Sequence, residues 1–153
     1  RFPLVATMIA GAAGILILSI GFLSVSEAHD ISSIPLPLIL FLFIAYILIL
    51  PLKDFKDIRG DALDNVYTIP VLLGEVKAKL LMSSLLFLLF ISSSFVLHDD
   101  RLFFPSLIFG SLAFFAVQQG TGDETSLWSF RRVPGIILSI TILYGMTIVS
   151  IIF

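Results

Sequence analysis

No cysteine occurs in the 153 residues of this chain. Disulfides, thiolate metal sites and cysteine nucleophiles are excluded, and the redox compartment leaves no mark on the composition. Charge is the next scarcity. Asp, Glu, Lys and Arg make up 13% of the residues, against about 25% in an ordinary soluble domain. The formal net charge of −2 gives a nucleic acid no reason to bind.

What fills the chain is hydrocarbon. Hydrophobic residues account for 58% of it and the mean hydropathy is +1.11. A bilayer core about 30 Å thick takes roughly 20 apolar residues of helix. Five stretches approach or reach that length: Phe2–Leu23, Ile34–Leu52, Leu80–Leu97, Leu102–Gln118 and Val133–Phe153. None contains a charged residue. No alternation of polarity suggests a β-barrel. A soluble core of five helices this apolar is a poor alternative. The sequence therefore predicts an all-α, polytopic transmembrane bundle of five spans, one domain over residues 1–153. Small residues at Gly11–Gly14, Ser92–Ser94 and Gly110–Ser111 predict close helix approach.

The polar gaps assign the sides. Residues 24–33 hold no Lys or Arg, and residues 98–101 hold only Arg101. Residues 53–79 hold five, namely Lys53, Lys56, Arg59, Lys77 and Lys79; residues 119–132 hold Arg131 and Arg132; Arg1 precedes the first span. Alternation puts eight basic residues on one face and one on the other. The positive-inside rule then makes the loop 53–79 cytoplasmic.

That loop opens with Lys53-Asp-Phe-Lys-Asp-Ile-Arg-Gly-Asp61. If the second span continues as α-helix, Asp54, Asp57 and Asp61 stand at i, i+3 and i+7. At about 100° per residue they fall within roughly 60° of one another, with Lys56 and Arg59 opposite. Three carboxylates on one stripe repel and call for a counter-charge. An oxygen-only donor set suits a hard cation, Mg²⁺ before Zn²⁺. Mg²⁺ typically takes one or two carboxylates and completes its shell with water and phosphate oxygens. Asp54, Asp57 and Asp61 are thus candidate metal ligands, and Lys53 a candidate phosphate contact. A solvated surface helix with interleaved Lys and Asp pairs explains the same spacing without chemistry.

The segment Lys53–Asp61, followed by Thr68-Ile-Pro-Val71 and Gly74, resembles the second Asp-rich motif of the UbiA superfamily of intramembrane prenyltransferases. The likeness covers about twenty residues. It implies five helices from the C-terminal half of a nine-helix fold, with the missing N-terminal helices supplied by the same parent chain. It also implies Mg²⁺-dependent transfer of a prenyl group from a polyprenyl diphosphate to an aromatic or lipid-like acceptor in the bilayer. Asp57 and Asp61 would then be the catalytic pair. The first Asp-rich motif of that family, Asn-Asp-x-x-Asp-x-x-x-Asp, does not occur in this sequence.

Thr68, Pro70 and Gly74 are expected to shape the turn after the motif rather than to touch substrate. Phe103, Phe104, Phe109, Phe114 and Phe115 are expected mainly to pack or to face lipid. Rival readings are a non-enzymatic membrane module, either a transporter half or a scaffold, and an inactive truncated prenyltransferase. The absence of charges within the spans speaks against a transporter.

Overall fold

A computed structural model of the protein describes residues 3–25, 34 and 36–152. Arg1 and most of the 24–33 gap, both used in the charge count, lie outside the described residues. The described chain is helical, with no strand. It runs α1 (Pro3–Val25), α2 (Leu36–Ile49), a 3-10 segment (Leu50–Asp57), α3 (Ile58–Leu63), α4 (Ile69–Leu73), α5 (Glu75–Val96), a short 3-10 turn (Asp100–Leu102), α6 (Phe103–Gln118) and α7 (Val133–Ile152).

Among the described residues, four helical runs are long and apolar enough to cross a membrane: Leu36–Leu63, Glu75–Val96, Asp100–Gln118 and Val133–Ile151. A shorter apolar stretch, Thr7–Gly21, lies in α1. Together they form the helical membrane bundle expected from hydropathy. Outward-facing Ile9, Leu16, Ile17 and Phe104 are strongly exposed, as a lipid-facing surface requires.

Proline sets several element boundaries. Pro51 brings no N–H to the carbonyl of Ile47, so α2 ends at Ile49 and the chain tightens into the 3-10 segment. Pro134 falls in the first turn of α7, where its missing donor costs nothing. Helix α5 starts at Glu75, five residues before the apolar run. Its first turn is charged but stabilised there, because Glu75 sits at the positive helix end and pairs with Lys79 at 2.8 Å.

Small residues place the helices. Gly110 lets α6 approach α5: a Cβ there would lie 3.1 Å from the Phe90 Cβ and 3.3 Å from the Phe87 carbonyl oxygen. Gly14 lets Tyr46 of α2 cross α1, its ring 2.7 Å from where a Cβ would stand. Ser93 and Ser94 are buried as well, whereas Ala12 and Ala13 face outward. Met82, Leu86, Phe90, Ala113, Ile137 and Tyr144 fill the core between α5, α6 and α7. Within it the Ser93 and Tyr144 hydroxyls are hydrogen-bonded to each other across α5 and α7.

Of the phenylalanines of α6, Phe109 packs against Tyr144, with centroids 5.4 Å apart. Phe103, Phe104 and Phe115 are exposed.

Candidate functional site

The two basic polar segments meet at one end of the bundle. Phe55 of the 3-10 segment is buried against Phe130 of the α6–α7 loop, ring centroids 5.4 Å apart. Lys79 of α5 also lies over a ring of this contact, its Nζ 5.1 Å from the Phe130 centroid. Gly120 makes room for that ring, since a Cβ there would sit 2.6 Å from it. The α6–α7 loop is itself braced by paired backbone bonds, Thr121 N to Trp128 O and Phe130 N to Thr121 O, both 2.9 Å.

The Asp-rich segment stays helical past the apolar run, but not as one α-helix. The stripe of three carboxylates requires an uninterrupted helix of 3.6 residues per turn. The chain is 3-10 up to Asp57, which stands at the junction with φ −111° and ψ 12°, and becomes α-helical only at Ile58. The change of pitch divides the acids. Asp54 and Asp61 line one cavity of about 190 Å³ together with Lys53. Asp57 lines a different one of about 510 Å³, with Lys56, Arg59 and Arg131. Lys56 and Arg59 thus share a cavity with Asp57 and not with Asp54 and Asp61. Asp57 is exposed and pairs with its neighbour Lys56 at 3.5 Å.

A reversal of the chain completes the smaller cavity. Helix α3 ends with Asn65 in the left-handed region at φ 54°, a conformation Asn tolerates better than most residues. The Val66 N–H donates to the Asp61 carbonyl at 2.8 Å and the Asn65 N–H to that of Ala62 at 3.4 Å. This paired closure of a helix end folds the chain back on itself. It carries Val66 and Thr68 into the same wall as Lys53, Asp54 and Asp61. Thr68 is almost fully buried, at 3% exposure. By sequence, turn-shaping ranks ahead of substrate contact for this residue. The only sequence signal for more was its place in the motif that follows the acids.

Electrostatics single out Asp54. Burial pushes its carboxyl above the ordinary value of 3.8; Lys53 lowers it, and the charges of Asp61 and Asp57 raise it further. A carboxyl destabilised by desolvation and by like charges gains most from a cation. Among the described residues no three His, Cys, Asp or Glu side chains are grouped closely enough to cage a metal by themselves. The two carboxylates that share a cavity, Asp54 and Asp61, are of the oxygen-donor type that could hold a hard cation such as Mg²⁺.

The fold and this site define a class: a helical integral membrane protein with a Lys–Asp–Asp cavity at one end of its apolar bundle. The family model described as the UbiA prenyltransferase family matches residues 1–132. The chain belongs to that family. Comparison with curated proteins and with solved structures finds no match.

Proposed function

We propose that this chain contributes part of the diphosphate-binding site of a membrane prenyltransferase. The reaction is transfer of a prenyl group from a polyprenyl diphosphate to an aromatic or lipid-like acceptor, dependent on Mg²⁺. The carrying observation is the convergence of Lys53, Asp54 and Asp61 on one cavity where the apolar helices end. Membership of the family supports the reaction class.

The residues have distinct parts in this reading. Asp54 and Asp61 would hold Mg²⁺, which when bound supplies positive charge against the diphosphate. Lys53 adds a flexible cation to the same oxygens. Asp57, on the far side of the segment, remains within electrostatic reach of Asp54. Its negative charge tunes the site, and its own carboxylate is open to substrate or metal from the larger cavity. The prenyl tail would run among the apolar helices, and the basic count supports a cytoplasmic side for this end of the bundle.

The test is a turnover assay with a prenyl diphosphate and Mg²⁺ in membranes carrying the protein. Asp54→Asn and Asp61→Asn are expected to lower turnover by a hundredfold or more, an effect on the order of the loss of a charge-stabilising group at a transition state. Wild-type turnover in both variants would refute the site.

A further inference from the structure

We infer that the Thr68 hydroxyl is a binding group for the diphosphate, donating a hydrogen bond to a phosphate oxygen in the cavity of Lys53, Asp54 and Asp61. The inference rests on the proposed function and adds a residue to it.

Thr68 Oγ1 is the one buried side-chain nitrogen or oxygen among the described residues that has no hydrogen-bond partner. A buried hydroxyl without a partner is costly, and native structures rarely keep one unless water, an ion or a ligand completes the bond. The local job of such a residue is not being done. Thr68 is the N-cap of α4, where a threonine hydroxyl ordinarily accepts from the second or third N–H of the helix. Here the second helical residue is Pro70, which has no N–H, and the Thr68 side chain makes no capping bond. The backbone of Thr68 is satisfied independently, its N–H donating to Val66 O at 3.1 Å and its carbonyl accepting from Leu72 N at 2.9 Å. The turn therefore stands without the hydroxyl.

The surroundings select the ligand. Thr68 lines the cavity that also holds Lys53, Asp54 and Asp61. Ionised carboxylates only accept hydrogen bonds, so direct donation to a phosphate oxygen falls to ammonium and hydroxyl groups. A neutral hydroxyl is suited to this position. It adds a donor without a second ammonium to compete with Mg²⁺ for the two carboxylates.

The experiment uses the protein purified in detergent, with inorganic pyrophosphate and Mg²⁺ as the probe, read by calorimetry alongside melting temperature. Thr68→Val keeps the shape and removes the hydroxyl; Thr68→Ser restores it. Thr68→Val should weaken Mg²⁺-dependent pyrophosphate binding about five- to tenfold, as expected for loss of one hydrogen bond. Its ligand-free melting temperature should equal or exceed that of the wild type, and Thr68→Ser should bind within about twofold of wild type.

Unchanged binding in Thr68→Val would overturn the inference. So would a fall in melting temperature, which would show that the hydroxyl braces the turn, and so would an equal loss of affinity for Mg²⁺ alone. Asp61→Asn separates the two levels. If it abolishes pyrophosphate binding while Thr68→Val does not change it, only the role of Thr68 fails. If Asp61→Asn also leaves binding intact, the proposed function fails with it.

Discussion

Phe55 and Phe130 lie ring against ring, 5.4 Å apart at an interplanar angle of 30°, and through this contact the Asp-rich segment is docked on the loop between α6 and α7. Both rings are nearly fully buried. The contact fixes where Lys53, Asp54 and Asp61 stand relative to the bundle.

Phe130→Ala should therefore lower stability by about 3 kcal/mol, the usual scale for removing a buried aromatic ring. Gly120→Ala should destabilise through the same ring, because the added Cβ would meet it at 2.6 Å. Thermal unfolding in detergent checks both. A melting temperature in Phe130→Ala equal to wild type would show that the loop does not brace the segment.

The pH dependence follows from Asp54. Its folded-state carboxyl is held above the ordinary 3.8 by burial, and by Asp61 and Asp57. The folded state thus takes up the proton more readily than the unfolded chain. The associated stability is present below the ordinary value and is lost as pH rises through the raised one. Mg²⁺ needs the ionised form, so binding should fail on acidification earlier than an ordinary carboxylate would predict. Asp57→Asn removes one of the charges that raises Asp54, and should move the acidic limb to lower pH. Affinity for Mg²⁺ with pyrophosphate, measured across the acid range upward from the ordinary carboxylate value, reads the shift. An unmoved limb in Asp57→Asn would sever the coupling.

Much of this was legible in the sequence, for a physical reason. In a bilayer the backbone must satisfy itself, so long uncharged runs such as Val133–Phe153 have one outcome. The sequence offers Asp54, Asp57 and Asp61 as one set of acids, with Asp57 and Asp61 as the leading pair, because residue type and spacing declare the chemistry; the cavity that joins Asp54 to Asp61 is not written in the pattern. The pattern puts Asp57 on the same stripe since composition does not announce a change of helical pitch; the 3-10 segment opens at Leu50 and Pro51, and the pitch changes after Asp57. Thr68 reads chiefly as a turn residue because an unmade bond leaves no mark in a sequence pattern. Pattern shows which groups are present, not which are left without partners once the chain is folded.

Gly74 offers a backbone test. It joins α4 to α5 at φ 76° and ψ 158°, a region essentially reserved for glycine. No atom lies within 4 Å of a Cβ built there, so any cost of substitution is conformational and not steric crowding. Gly74→Ala should destabilise by about 1–3 kcal/mol. It should also weaken pyrophosphate binding, because α4 carries the Thr68 end of the cavity wall. Unchanged melting in Gly74→Ala would mean that the α4–α5 junction can adopt another conformation at little cost.

The Ser93–Tyr144 pair tests what holds the helices together within the bilayer. Its hydroxyls join α5 to α7 in a region lined by Phe90 and Phe109. Ser93 also bonds back to the Phe90 carbonyl at 2.6 Å, so its hydroxyl keeps a partner if Tyr144 loses its own. Interhelical hydrogen bonds in membranes average about 0.6 kcal/mol, since the separated helices find other partners. Tyr144→Phe should therefore cost only about 0.5–1 kcal/mol. Tyr144→Ala should cost several times more, because it removes the ring that packs on Phe90 and Phe109. Unfolding of both variants in one detergent gives the comparison. Equal losses would assign the seam to the hydroxyl, whereas the predicted gap assigns it to the ring and to dispersion.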